Sequence, residues 1–180
     1  REQLVQIHEA QYLDRLWAKD PQFLASILAS TGGVLAALDQ ALIDGASGTL
    51  SSGLHHAKSG HEYGLCYING LALVALEAIN KHGLCDVCIL DLDAHCGGGT
   101  FALVGNNPKV RIVDVSVDSF DSWKSSQSRH HLTLVNDSSV YLDEVKKALT
   151  LLEGTEFLVY NAGMDPFEDC ETGGMRGITR

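Results

Sequence analysis

The sequence predicts an α/β fold built on a mainly parallel sheet, and three observations predict it. Residues 87–92 form a continuous apolar run with β-branched members. A strand with one wet face alternates polar and apolar residues, so an unbroken run fits a strand buried on both faces. Residues 110–117 and 157–160 repeat that character. Between these runs stand segments with helical spacing, and strands alternating with helices make a parallel sheet covered by helices.

In chain order, residues 2–18 carry Leu4, Ile7, Tyr12 and Leu16 at the spacing of a short amphipathic helix. Residues 22–44 place Phe23, Ile27, Leu28, Val34, Leu35, Leu38 and Leu42 on helical positions, with Gly45 as the stop. Gly32 and Gly33 interrupt that run and predict two helices in place of one. Residues 49–52 read as a short strand opening into the loop Gly53-Leu54-His55-His56. Residues 69–81 form a helix through Leu71, Leu73, Val74, Leu76 and Ile79, ended by Gly83. The polar, Ser-rich stretch 119–136 reads as a surface loop with a short strand near 132–134, and residues 140–152 as a second amphipathic helix.

The chain has 180 residues, enough for one domain with a sizeable core, and its 45% hydrophobic and 20% charged content is ordinary for a globular protein. The formal net charge of -10 argues against non-specific nucleic-acid binding, which needs a basic footprint. It suits solubility, or a cationic substrate or partner. No run of 18 apolar residues predicts a membrane span, and no signal peptide is visible, although the first residue is Arg1 and not Met. Five cysteines without a framework spacing suggest reduced thiols and a cytoplasmic setting. Cys85 and Cys88 form one CxxC without the second pair of a zinc ribbon, and are expected to be core thiols.

In open α/β sheets ligands bind beyond the carboxyl ends of the strands. Three strand ends here carry polar groups. Asp91-Leu92-Asp93-Ala94-His95 follows the first apolar run, with two carboxylates and an imidazole at alternate positions of an extended segment. Asn161-Ala162-Gly163-Met164-Asp165 follows the last. Asp93, His95 and Asp165 would supply the three protein ligands of a catalytic Zn²⁺ if the two strands are neighbours. Taken singly, such acids just as readily cap helices and loops. His55-His56, in a Gly-flanked loop, could supply a general base and a partner that tunes it, or could be a surface pair.

Taken together these segments resemble the successive signatures of the histone deacetylase and acetylpolyamine amidohydrolase family. The resemblance rests on Gly53-Leu54-His55-His56-Ala57, Gly64-Leu65-Cys66-Tyr67-Ile68-Asn69, Asp91-Leu92-Asp93-Ala94-His95 and Gly163-Met164-Asp165. It extends to Ile7-His8 with Tyr12 at the start and to Asp169, Gly173-Gly174 and Ile178-Thr179 at the end, so it covers nearly the whole chain. The Asp-Leu-Asp-Ala-His form is most similar to the class IV members and some bacterial relatives.

The resemblance implies a three-layer arginase-like fold and hydrolysis of an acyl amide, N-acetyl-lysine or an acetylated amine, by metal-activated water. It implies that Asp93, His95 and Asp165 bind zinc, that His56 is the general base and acid, and that His55 acts electrostatically, hydrogen-bonded to Asp91. Asp91 and Ser116, with Asp93 and His95, would lie beside a potassium ion (K⁺). Gly64 would line the acyl-lysine tunnel, and Leu65 stands where the family has an aromatic wall. Gly97 occupies the position at which binuclear arginases need another aspartate, so a second metal and guanidine hydrolysis are not expected.

Three departures from the family pattern stand out. Residues 95–99 read His-Cys-Gly-Gly-Gly, so Gly98 replaces the carboxylate or amide that supports the second tandem histidine, and His56 is expected to lack its orienting partner. Cys96 replaces a histidine and is expected to pack. The family's transition-state tyrosine belongs to a Gly-rich loop beyond Asp165, and the sequence ends at Arg180 without one. The chain is therefore expected to be a single deacetylase-like domain, incomplete at both ends. It would bind metal but turn over slowly, and would self-associate through exposed sheet surface. The alternative is a degenerate, non-catalytic module that binds a metal or an acylated ligand.

Overall fold

Four strands form in the computed structural model, which describes residues 1–179: β1 (Val87–Asp91), β2 (Val110–Ser116), β3 (His130–Leu134) and β4 (Phe157–Asn161). They lie side by side in the order β3-β2-β1-β4, and every pairing is parallel. All five residues of β1 are buried, as its unbroken apolar run requires. Side chains alternate across a strand, and the two parities of β1 enter two different cores. Val87 and Ile89 pack with α1 (Ala10–Trp17), α2 (Pro21–Asp44) and α3 (Gly70–Asn80). Cys88 and Leu90 pack on the opposite face with Tyr141 and Ala148 of α5 (Tyr141–Thr150). Helices thus cover both faces of the sheet, giving the three-layer α/β architecture expected.

Local chemistry explains the helix boundaries. Asp20 accepts from the amides of Gln22 and Phe23 at 3.0 Å each, Pro21 opens α2, and Gly45 closes it at φ +85. Asn69 accepts from the Ala72 amide at 2.9 Å and so caps α3. The same side chain donates to the carbonyl of His55 at 3.0 Å, which ties the histidine loop to the start of the helix.

Several expectations are corrected. Helix α2 runs unbroken through Gly32 and Gly33. Each glycine costs a helix interior about 1 kcal/mol relative to Ala, which packing can offset. Gly33 serves an approach: a Cβ there would lie 2.8 Å from Oγ1 of Thr49. Residues 49–52 form no strand, because Leu50 is fully exposed and the segment is tied to α2 by side chains. Ser51 Oγ donates to the Ser30 carbonyl at 3.1 Å, and Ser30 Oγ to that of Ser52 at 3.3 Å. A short helix, α4 (Gly98–Val104), grows out of the glycine run after His95, where no helix was expected. Cys88 is buried but Cys85 is exposed, so only one of the CxxC pair is a core thiol.

By length and composition α2 is also apolar enough to cross a bilayer, against the expectation of no such segment. Here its Ile27, Val34 and Leu38 stripe packs into the core shared with α3. β4 is an edge strand whose Leu158 and Tyr160 are exposed. A groove of about 980 Å³ runs along it, between α2 and the 45–53 segment, to Asp93 and Asp165.

Candidate metal centre

Three segments meet at the carboxyl ends of β1 and β4. Asp91, the last residue of β1, has the parity of Val87 and Ile89 and so faces the helical layer that carries His55. It is in register with Asn161 at the end of β4. Asp91 Oδ1 accepts from Asn161 Nδ2 at 2.8 Å and from the Asp93 amide at 3.2 Å, while Oδ2 lies 2.7 Å from His55 Nδ1.

Beyond the strand, Asp93 and His95 turn toward the loop after β4. Asp165 in that loop accepts from the Ala94 amide at 3.0 Å. The two loops touch because residue 163 is glycine: a Cβ there would be driven into the backbone of Leu92 and Asp93. His95 Nδ1 then lies 3.2 Å from Asp93 Oδ1 and 3.1 Å from Asp165 Oδ2. All three side chains are about one-fifth exposed, so the group is reachable from solvent.

This donor set fits zinc. Ligands about 2.0–2.1 Å from a tetrahedral ion lie roughly 3.3 Å from one another. The observed separations match that edge, and one mixed nitrogen and carboxylate set leaves further positions open. The proton on His95 is also in the right place. Nε2 lies 3.0 Å from the carbonyl of Thr172, which only accepts and so takes the Nε2 hydrogen, leaving Nδ1 as the nitrogen that a metal would use beside the carboxylates. Burial, and then the facing charge of Asp93, raise the Asp165 carboxyl above its ordinary range, as expected of acids gathered around a place for a cation.

The tandem histidines stand beside this group. His55 and His56 are both buried, with their Nε2 atoms 3.0 Å apart, and His55 Nε2 is 3.5 Å from Asp93 Oδ1. Burial alone would lower the His55 pKa, but Asp91, Asp93 and Asp114 outweigh it and lift it to about 9. His55 is thus an imidazolium at neutral pH, donating through Nδ1 to Asp91. His56 does not lack a partner, contrary to expectation: its Nδ1 lies 3.0 Å from Oδ2 of Asp121.

Below the site, Asp114 of β2 accepts from the Gly97 amide at 2.8 Å, from Trp123 Nε1 at 2.9 Å and from the hydroxyl of Ser116. Burial and the charge of Asp91 push its carboxyl up to about 7. Cys96 is buried and donates to the carbonyl of Asp118 at 3.3 Å, and burial holds its thiol at about 12, so it packs as a neutral thiol. Gly64 lies against His56 at φ +52, with no room for a side chain. Leu65 does not wall the site: it is 89% exposed at φ +62. The aromatic surface beside His56 comes instead from Phe120, whose ring stands edge-on to it at 4.9 Å, and from Tyr63 stacked on Phe120 at 5.0 Å.

The residues that sequence reasoning missed are therefore Asp121, Lys58, Tyr63, Phe120, Asp114 and Trp123. Only Asp114, a charge inside an apolar strand, left a signal that could have found it.

Comparison with known proteins gives a family and a fold. A family model described as the histone deacetylase domain matches residues 1–123. A segment of 84 residues is 36% identical to an uncharacterized protein of Picosynechococcus, covering 46% of this chain and 28% of that protein. Another of 49 residues is 45% identical to histone deacetylase clr6 of Schizosaccharomyces pombe, covering 27% of this chain and 12% of that one. Among solved structures, an HDAC homolog from Aquifex aeolicus superposes with a TM-score of 0.79 at 17% identity, over 94% of this chain and 56% of that one. Acetylpolyamine aminohydrolase from Burkholderia pseudomallei does so with a TM-score of 0.65 at 21% identity, over 79% and 46%. These likenesses show a shared fold, and the chain spans about half the length of those structures.

Proposed function

The chain belongs to the histone deacetylase family, and on that premise we propose that it serves zinc-dependent hydrolysis of an acyl amide, N-acetyl-lysine or an acetylated amine. The observation that carries the proposal is the convergence of Asp93, His95 and Asp165 within 4.8 Å of one another, beside two buried histidines. Zinc held there would polarise the amide carbonyl and acidify water.

The chain's own residues then have distinct tasks. His56 takes a proton on Nε2 from the attacking water as the water oxygen bonds to the carbonyl carbon. It returns that proton to the amine nitrogen as the carbon–nitrogen bond breaks. His55, held as an imidazolium by Asp91, offsets negative charge developing on the carbonyl side. Asp91, Asp93, His95 and Ser116 are the proposed surroundings of K⁺. Gly64, packed against His56, would line the tunnel for an acyl-lysine chain, which Phe120 and Tyr63 would flank.

The test is zinc content and deacylation of an acyl-lysine peptide on one sample, with His56→Ala as control. About one zinc per chain with His56-dependent turnover supports the enzyme. Zinc without turnover supports the alternative, a module that binds metal or an acylated ligand without hydrolysing it. Absence of zinc overturns the zinc hydrolase and the metal-binding module alike.

A further inference from the structure

We infer that Asp121 is the positioning residue of His56, a carboxylate delivered by the loop after β2 to a place that residue 98 cannot serve. Four observations carry this. Asp121 Oδ2 accepts from His56 Nδ1 at 3.0 Å and from the amide of Gly99 at 3.0 Å, while Oδ1 accepts from Lys58 Nζ at 2.5 Å. Its side chain is 8% exposed, so the carboxylate is spent on these partners and not on water. The space beside Gly98 is occupied by Asp121 itself: a Cβ on residue 98 would be driven into the Asp121 carbonyl oxygen and would lie 2.5 Å from Oδ1. Finally, Asp121 is held at φ +56, a left-handed backbone that a non-glycine residue adopts at a cost. The loop is bent to bring this side chain in.

The chemistry follows from acceptor and donor roles. A carboxylate only accepts, so His56 carries its hydrogen on Nδ1 and presents the lone pair of Nε2 to His55 and the metal group. Asp121 thus fixes the tautomer and the ring plane of a base that would otherwise rotate, as the orienting acid does in hydrolytic triads. Lys58 Nζ pairs with the other oxygen of the same carboxylate and so helps to hold it against His56. Naming His56 the base rests on the proposed deacylase reading; the positioning of its ring does not.

The test reads the imidazole directly. In the chain labelled with ¹⁵N-histidine, the His56 signals are assigned by their loss in His56→Gln. They are expected to report an Nδ1–H tautomer with a proton shielded from exchange. Asp121→Ala should convert that pattern to a mixture of tautomers in fast exchange with water. Asp121→Asn, whose amide oxygen still accepts, should restore the Nδ1–H form. Where Asp121→Ala fails to fold, the Asn variant and Lys58→Met still report: both keep an acceptor beside Nδ1 and should keep the tautomer. A wild-type His56 in the Nε2–H form, or signals unchanged in a folded Asp121→Ala, overturns the inference. If the chain turns over an acyl-lysine peptide, Asp121→Ala should lower kcat by about 10²-fold or more with little change in KM. Absent turnover with the Nδ1–H pattern intact counts against the deacylase reading alone.

Discussion

His95 Nε2 stands 3.0 Å from the carbonyl oxygen of Thr172, and this contact fixes which nitrogen is free to bind a metal. Nδ1 faces Asp93 at 3.2 Å and Asp165 at 3.1 Å, so a metal would join these three atoms in place of any proton between them. Zinc should therefore raise Tm relative to chelator-treated protein. Free zinc at 100 times Kd corresponds to about 2.7 kcal/mol. His95→Ala and Asp93→Ala should abolish the increase. Scanning calorimetry with and without chelator checks this, and an equal Tm in both would mean the group holds no zinc.

Asp91 is buried and serves His55, Asn161 and the Asp93 amide at once. Its removal strands a buried imidazolium. Asp91→Ala should destabilise by about 3–5 kcal/mol, the range for breaking one side of a buried pair. Urea denaturation measures the loss. Asp39→Ala removes an exposed carboxylate bound to Lys81 and His82 and should change little by comparison.

His8 gives stability a dependence on pH. Its Nδ1 donates to the Lys58 carbonyl at 2.8 Å and its Nε2 accepts from the Asn69 amide at 3.3 Å, so the folded chain needs the neutral ring. Burial lowers its pKa below 6.5. As pH falls through that value the unfolded chain takes up a proton that the folded chain resists, so stability present above it is lost below it. The contribution is at most about 1.4 kcal/mol per pH unit. Denaturant midpoints on either side of pH 6.5 should show the decline, and His8→Gln should show a flatter slope.

Two adjacent glycines of α2 should respond in opposite ways. A Cβ on Gly32 meets nothing within 4 Å, so Gly32→Ala should stabilise the protein by about 0.5–1 kcal/mol through helix propensity alone. Gly33→Ala would press on Oγ1 of Thr49 at 2.8 Å and Oγ of Ser51 at 3.2 Å, and should forfeit that gain. Paired thermal melts decide it.

The open side of β4 predicts self-association of this chain. Leu158 and Tyr160 leave apolar side chains on an edge strand with unpaired backbone groups. Sedimentation at rising concentration should show association, and Leu158→Lys should weaken it. A wild-type monomer throughout would contradict the prediction.

What was legible in the sequence followed periodicity and spacing within single segments. The run ending at Asp91 announced a doubly covered strand, and Asp93, His95 and Asp165 stood at strand ends where parallel sheets place their ligands. Asp121 was not legible. It lies in a Ser-rich loop without periodicity, and its meaning depends on how closely that loop approaches Gly98 and His56 in space. The same limit explains residues 32–33 and 49–52. A glycine pair signals a helix break in isolation, but here Gly33 is the gap that receives Thr49, and neither segment shows this alone. Leu65 was placed by position within a motif, whereas a left-handed backbone turns its side chain outward and leaves the aromatic role to Tyr63 and Phe120.

The carboxylate that orients His56 and those that gather around His95 come from loops following different strands, β2 for the first and β1 and β4 for the others. The side chain at residue 121 can therefore change apart from the ligands, but the length of its loop cannot: the Asp118 amide donates to the Ala94 carbonyl at 2.8 Å and the Cys96 amide to the Phe120 carbonyl at 3.0 Å, on either side of His95. Diversification of this protein's proton chemistry would thus be recorded in a stretch of sequence that carries no metal motif at all.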